Sequence, residues 1–184
     1  YNIGTMAKIK RLLFGSTWVG RILRIITLLT ILIYPFGYHY KLLYIDGISM
    51  EPTYDDKQWT LMQRKRSLGA DWVPDRFDTI IVWDKKHQVH LCKRVIGLPG
   101  EKVHIKHGRI FIDNKELSDS FGKGYLVVYK LLDPVTEEVW WREYDNIPPR
   151  VIELNHVWVI GDNREDSIFG HFPINKIHGK IVLY

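Results

Sequence analysis

The hydrophobic residues of this chain form one long run near the N-terminus and many short runs after it. The long run covers residues 22–40 (ILRIITLLTILIYPFGYHY) and carries one charged side chain, Arg24. Later apolar residues alternate with polar ones or form short groups bounded by Gly, Pro and Asp, which is the pattern of β-strands. No stretch after the long run repeats its apolar residues with the period of a helix. The pattern predicts one N-terminal helix followed by a β-rich region.

The strand-like runs are short and closely spaced. Residues 102–106 (KVHIK) alternate, and the pair His-Gly at 107–108 separates them from a second apolar run at 109–113. That arrangement is typical of a β-hairpin, and Asp-Asn at 113–114 predicts another turn directly after it. The remaining predicted strands lie at residues 59–63, 79–83, 89–96, 125–131, 139–141, 157–160 and 180–183.

The long apolar run has the length of a membrane span. As a helix, residues 22–40 would be about 28 Å long at about 1.5 Å per residue, which is close to the bilayer core of about 30 Å. Arg24 lies near the entry end, where its side chain can reach the interface. Tyr34 and Tyr38 suit the opposite interface. We therefore expect a transmembrane helix. A cleaved signal peptide is the alternative, although no small-residue cleavage site stands out.

Positive charge is concentrated at the start of this run. The formal net charge is +5, and five of the cations lie there: Lys8, Lys10, Arg11, Arg21 and Arg24. Positively charged flanks stay on the cytoplasmic side, so residues 1–21 are predicted to be cytoplasmic and residues 41–184 to lie outside the plasma membrane. We interpret the basic bias as topology rather than nucleic-acid binding. The chain opens on Tyr1, and Met6 is a plausible start of translation.

Three short blocks contain the candidate chemistry: residues 47–53 (GISMEPT), 92–101 (CKRVIGLPGE) and 161–167 (GDNREDS). In the first block, Ser49 lies between a glycine and a proline, so its hydroxyl is predicted to sit where the backbone bends sharply. A serine hydroxyl is a weak nucleophile near neutral pH and needs a base close by. The choice of that base decides the chemistry.

Histidine is the usual base for a serine nucleophile. Four of the eight histidines lie on strand-like segments among polar neighbours: His87, His90, His104 and His107. Their spacing invites a zinc interpretation, but no Glu in a helical frame and no third ligand accompanies them, so we expect no metal. The single cysteine, Cys92, excludes an intramolecular disulfide. Its place within a strand favours a small packed residue over a nucleophile.

Lys93 is the stronger candidate for the base. It lies in an otherwise apolar strand, where burial would disfavour the ammonium form and lower the pKa. Moving a lysine pKa from about 10.4 to about 8 requires about 3 kcal/mol, at about 1.36 kcal/mol per unit. The neutral amine could then take the proton of Ser49. From the residues alone, the alternative is that Lys93 faces solvent beside Arg94.

The three blocks, in this order, resemble those of the type I signal peptidases. Those enzymes are membrane-bound Ser/Lys proteases that remove signal peptides from exported proteins. The resemblance runs from the apolar segment to the C-terminus, and it implies an antiparallel β-sheet catalytic domain over residues 41–184. It also implies that residues 103–156 form a small inserted β subdomain. No cofactor is expected, and the expected partners are signal peptides of exported preproteins and the lipid bilayer.

The resemblance also assigns roles to individual residues. It implies that Ser49 is the acyl-forming nucleophile, Lys93 the general base, and Ser167 the residue whose hydroxyl orients the lysine amine. The backbone N–H of Ser49 would donate to the oxyanion, whereas Gly47 stands where some relatives carry a second hydroxyl donor. Residues that brace the site are expected at Asp162, Asn163 and Arg164. The substrate pocket is expected to be lined by Ile45, Gly47, Met50 and Leu91.

The chain departs from the family pattern after Ser167. The family continues with any residue and then Asp-Ser-Arg, whereas this chain continues with residues 168–170 (IFG). The loop is therefore shorter, and Asp166 is a candidate replacement for the lost carboxylate. The sequence predicts a membrane-bound signal-peptide endopeptidase. The alternatives are a specialised relative that serves one pilus or conjugation substrate, and a membrane-tethered assembly or binding module.

Overall fold

A computed structural model describes residues 4, 8, 18–124, 126, 129–132, 139–142 and 146–183. The chain divides into two compact units, Tyr1–Tyr40 and Lys41–Tyr184. The first unit contains the long helix, and the second contains most of the β-structure.

The helix of the first unit, α1, covers Trp18–His39 and so begins before the apolar run that predicted it. Its 22 residues extend about 33 Å at about 1.5 Å per residue. The hydroxyls of Thr27 and Thr30 donate to backbone carbonyls four residues earlier, at 2.9 and 2.8 Å, so that these polar groups are satisfied on an otherwise apolar surface. By length and composition, α1 could cross a membrane.

The second unit is built from short strands, as the alternating pattern predicted. Their bounds are β1 Tyr40–Tyr44, β2 Trp59–Arg64, β3 Thr79–Asp84, β4 Val89–Gly97, β5 Lys102–Lys106, β6 Arg109–Ile112, β7 Lys115–Glu116, β8 Tyr129–Leu132, β9 Val139–Arg142, β10 Asn146–Val151, β11 His156–Ile160, β12 Gly170–Pro173 and β13 Ile177–Leu183. Three short 3-10 helices lie at Lys65–Ser67, Arg164–Asp166 and Ile174–Lys176. Part of the predicted strand at 125–131, and the turn after it, lie outside the described residues.

The strands form three sheets. A seven-stranded sheet has the order β1-β2-β13-β3-β4-β11-β12, a four-stranded sheet the order β10-β5-β6-β7, and β8 pairs with β9. The strand pairings from β2 to β12 in the large sheet, and those of the other two sheets, are antiparallel. The mainly β, antiparallel fold that the sequence and its resemblance predicted is therefore confirmed.

Turn residues explain the hairpins of the four-stranded sheet. His107 and Gly108 both have positive φ, 50° and 69°, which suits the tight twisted turn between β5 and β6. Asp113 and Asn114, with φ of 50° and 66°, make the turn into β7. Both predicted turns are confirmed. This sheet falls between β4 and β11 in the chain and so lies in the region predicted as an inserted subdomain, whose boundaries stay a prediction.

The core between these sheets is continuous. One buried cluster draws on both the four-stranded and the seven-stranded sheet: Ile96, Val103, Ile105, Ile110, Ile112, Leu126, Ile152, Trp158 and Ile160. The strand β5 shows why the cluster forms, since Val103 and Ile105 are buried while residues on either side of them are more exposed. Ile152 is fully buried within this cluster.

We predict that Ile152→Ala lowers the free energy of unfolding by about 3 kcal/mol, because a cavity replaces packed methyl groups between two sheets. The neighbouring Val151 is 57% exposed, so Val151→Ala serves as the control and should cost less than about 1 kcal/mol. Urea unfolding of the full chain in detergent measures both values. Equal losses in the two variants would show that Ile152 does not join the sheets.

Candidate active site

Ser49 lies in a turn between β1 and β2 that is fixed at both ends. Gly47 adopts φ of 112°, a conformation that favours glycine, and its N–H donates to the Asp56 carboxylate at 2.6 Å. After the serine, the N–H of Tyr54 donates to the carbonyl of Met50 at 3.1 Å. The Met50 side chain is 1% exposed and anchors the turn in the core. The predicted sharp bend at Ser49 is present.

Lys93 comes from the middle of β4 and reaches this turn. The residue is 3% exposed, so the alternative of a solvent-facing lysine is wrong. Its Nζ lies 2.6 Å from the Oγ of Ser49. A buried amine and a serine hydroxyl are thus within hydrogen-bond distance, although 43 residues lie between Ser49 and Lys93 in the sequence.

The environment of Lys93 favours a neutral amine. Burial lowers the pKa of Lys93 to about 8, and the weaker opposing influences include the charges of Asp162 and Asp166, which raise the pKa. In neutral and mildly alkaline solution, a substantial fraction of the amine therefore carries a lone pair that can accept a proton. Burial also raises the pKa of the Cys92 thiol to about 12. Such a thiol is almost fully protonated near neutral pH, which makes Cys92 a poor nucleophile.

Ser167 is buried next to the site, but its hydroxyl contacts backbone. It accepts from the N–H of Gly161 at 2.6 Å and donates to the carbonyl of Ile168 at 3.1 Å. The direct hydrogen bond to Lys93 that the resemblance implied is not among the hydrogen bonds of the described residues. The Ser167 hydroxyl instead donates its hydrogen bond to the carbonyl of the next residue, Ile168, where the chain departs from the family pattern.

Gly161 is a contact point that the sequence reasoning missed. A Cβ at this position would lie 2.1 Å from the carbonyl oxygen of Ser49 and 2.3 Å from the Oγ of Ser167. Only glycine therefore allows the first and third blocks to approach this closely. Its position at the head of the third block was the available signal.

A buried ion pair connects all three blocks. The guanidinium of Arg94 donates to both carboxylate oxygens of Asp162, with Nε at 2.7 Å and Nη2 at 2.5 Å. Both side chains are completely buried. The hydroxyl of Thr53, four residues after Ser49, donates to the same carboxylate at 2.6 Å. The sequence pointed to Asp162 but missed Arg94 and Thr53, although a charged residue within an apolar strand was a usable signal.

Asn163 and Arg164 hold the turn on its two sides. The backbone N–H of Asn163 donates to the carbonyl of Ser49 at 3.1 Å, and its side-chain amide donates to the carbonyl of Ile48 at 3.3 Å. Arg164 faces away from this contact and donates to the Asp119 carboxylate at 2.8 Å, where both side chains are largely buried. Asn163 therefore supports the serine directly, whereas Arg164 anchors the turn to a neighbouring loop.

A cavity of about 500 Å³ lies beside the serine and the lysine. Its walls include every residue predicted for the substrate pocket: Ile45, Gly47, Met50 and Leu91. Leu43, Met62, Ile81 and Cys92 extend the apolar lining, and they pack in the same cluster as Ile45 and Met50. The arrangement offers an apolar space for side chains next to an activated hydroxyl, which suits attack on a peptide carbonyl.

Comparison with known proteins identifies the family of this chain. The family model described as signal peptidase, peptidase S26, matches residues 17–184. Signal peptidase I of Bacillus caldolyticus is 31% identical over 147 residues, which cover 74% of each chain. Signal peptidase I S of Bacillus subtilis (strain 168) is 28% identical over 147 residues, 76% of this chain and 74% of the relative.

Among solved structures, a signal peptidase I from Enterococcus faecalis V583 aligns with a TM-score of 0.43 at 20% identity, covering 60% of this chain and 98% of that chain. The family assignment comes instead from the match over residues 17–184. The chain belongs to the S26 family of signal peptidases, which are serine peptidases.

Proposed function

We propose that this protein is a single-pass membrane endopeptidase that removes N-terminal signal peptides from exported proteins, with Ser49 as nucleophile and Lys93 as general base. The observation that carries the proposal is the buried Lys93 amine at 2.6 Å from the Ser49 hydroxyl. Relatives named signal peptidase I support the substrate class. The non-enzymatic alternative, a binding module, gives no reason to keep a lysine buried against a serine.

The reaction begins when the neutral amine of Lys93 takes the proton of Ser49 as Oγ attacks the scissile carbonyl carbon. The tetrahedral intermediate collapses when the Lys93 ammonium returns that proton to the leaving amine. The product is an acyl-enzyme on Ser49 and a free C-terminal fragment. Lys93, neutral again, then activates a water molecule that hydrolyses the ester.

The oxyanion of that intermediate needs a donor. We assign this role to the backbone N–H of Ser49, which no hydrogen bond among the described residues uses. Gly47 supplies no hydroxyl, and its own N–H is engaged by Asp56. Asn163 contributes indirectly, because its hydrogen bond to the Ser49 carbonyl fixes the peptide plane next to the donor.

The membrane arrangement follows from the first unit. We assign residues 1–21 to the cytoplasm, the apolar run at 22–40 to the plasma membrane and residues 41–184 to the outer face. The cations before the run support this orientation, and the helix Trp18–His39 supports the span by its length and composition. Exported preproteins present their cleavage sites at that same face.

We predict that kcat/KM for a signal-peptide substrate with Ala-X-Ala before the cut rises with pH through a midpoint near 8 and levels off at higher pH, because only the neutral Lys93 accepts the proton. Lys93→Met should reduce kcat/KM by about 10⁴-fold at every pH. Lys102→Met, at an exposed position of β5, is the matched control and should retain the wild-type profile. A folded Lys93→Met variant with near wild-type turnover would refute the proposed base.

We also predict that Ser167→Ala acts on stability rather than on the lysine. The variant leaves the buried N–H of Gly161 without its acceptor, which should lower the free energy of unfolding by about 1–3 kcal/mol. The pH midpoint of kcat/KM should stay that of the wild type, because the hydrogen bonds of the Ser167 hydroxyl among the described residues are to backbone and not to Lys93. A shifted midpoint with unchanged stability would instead assign Ser167 the orienting role that the family resemblance implies.

A further inference from the structure

The cavity beside the catalytic pair has two chemically different ends. Near Ser49 its walls are apolar, whereas its other lining residues are mostly basic: Lys41, Arg64, Lys65, Arg66, His90 and His178. Among the described residues that line it, Asp46 is the sole carboxylate, and it forms an ion pair with Lys57.

The basic end has a defined position on the sheet. His90 precedes Lys93 by three residues on β4, which places it about 10 Å away along the strand, at about 3.3 Å per residue. The ring of His90 lies between those of Trp83 and His178, with centroids 4.8 Å away in both cases. The contact between the two histidine rings holds both side chains in the lining of the cavity.

The charges at this end act on one another. Burial lowers the pKa of His178, and the positive charges of His90, Lys41, Lys176 and Lys65 lower it further. Lys65 itself is oriented by a hydrogen bond from its Nζ to the carbonyl of Ile174 at 2.5 Å. These positive charges disfavour a proton on His178, and an anion placed beside it would be attracted by all of them.

We infer that the basic end of the cavity binds an acidic side chain of the substrate, away from the scissile bond, and so selects substrates that carry Asp or Glu in that part of the peptide. The inference rests on the proposed function. Because the cavity is continuous, its occupant belongs to the same peptide that reaches Ser49.

Such a subsite agrees with the specialised alternative raised by the shortened loop after Ser167. Apolar lining near Ser49 selects the small residues at the cut, and the basic end adds a second requirement farther along the peptide. A substrate that lacks the acidic residue is still cut, but with a lower kcat/KM. The effect is on recognition and not on the chemical step.

The test uses the full chain in detergent with peptides that differ only in Glu, Gln or Lys at one position, moved from two to four residues from the cut on either side. At the peptide position that reaches the basic residues, the wild type should cleave the Glu peptide with a kcat/KM about fivefold higher than that of the Gln peptide. The kcat/KM of the Lys peptide should be lower still. The double variant Lys41→Glu/His178→Glu should reverse the order and favour Lys. A merely structural defect would slow all three peptides equally.

The control variant is Lys106→Glu/Lys115→Glu, which changes two exposed lysines of the four-stranded sheet and should keep the preference for Glu. Equal wild-type kcat/KM for all peptides at every position would overturn the inference while leaving the proposed function intact. A loss of kcat/KM in the Lys41→Glu/His178→Glu variant that is independent of peptide charge and occurs only in vesicles of anionic lipid would also overturn the inference. The bound anion would then be a lipid headgroup. Failure of the wild type to cleave any peptide would refute the proposed function itself.

Discussion

The site depends on the buried ion pair between Arg94 and Asp162. A guanidinium remains charged at any physiological pH, so a fully buried arginine requires a carboxylate close by. Asp162 provides it with two hydrogen bonds and accepts a third from Thr53. Because the three residues belong to three separate blocks, removing any of them would leave a buried polar group without its partner.

Burial has a different effect on Lys93, the basic residue next to Arg94. Lys93 lies on the same strand and is also buried. Among the described residues no carboxylate forms an ion pair with its amine, which instead forms a hydrogen bond with Ser49. An amine, unlike a guanidinium, can lose its charge, and burial lowers its pKa from 10.5 to about 8. That shift corresponds to about 3 kcal/mol against the ammonium form. The two adjacent basic residues therefore differ: Arg94 keeps its charge and connects the blocks, whereas burial favours the neutral form of the Lys93 amine.

Much of this site could be predicted from local sequence. Ser49, Lys93 and the four pocket residues were expected at the site because their blocks resemble those of the type I signal peptidases, and the hairpin turn at residues 107–108 follows from a glycine. Strand β10 was missed because it contains Pro148 and Pro149, which disfavour strands. Its position at the edge of the four-stranded sheet, with a register shift between Ile147 and Arg150, accommodates them.

Contacts between segments that are distant in the sequence could not be predicted from local sequence. The hydrogen bond from the Ser167 hydroxyl to the backbone carbonyl of Ile168 depends on the path of the chain after Ser167, which residue types alone do not predict. The basic residues that line the cavity come from β1, β2, β4 and β13 together with the turn after β2. No single sequence motif contains all of them. Only the antiparallel order of the large sheet brings His90 and His178 together.

In the proposed mechanism, Lys93 is a neutral amine when Ser49 attacks. The most direct measurement is a ¹⁵N NMR titration of the lysine side-chain amines in the full-length protein in detergent micelles, with Lys93 assigned by the loss of its signal in Lys93→Met. We expect Lys93 to titrate with a midpoint near pH 8, separate from the exposed lysines. A midpoint within the range of the exposed lysines would contradict the account, because the amine would then be protonated throughout the working range of the enzyme.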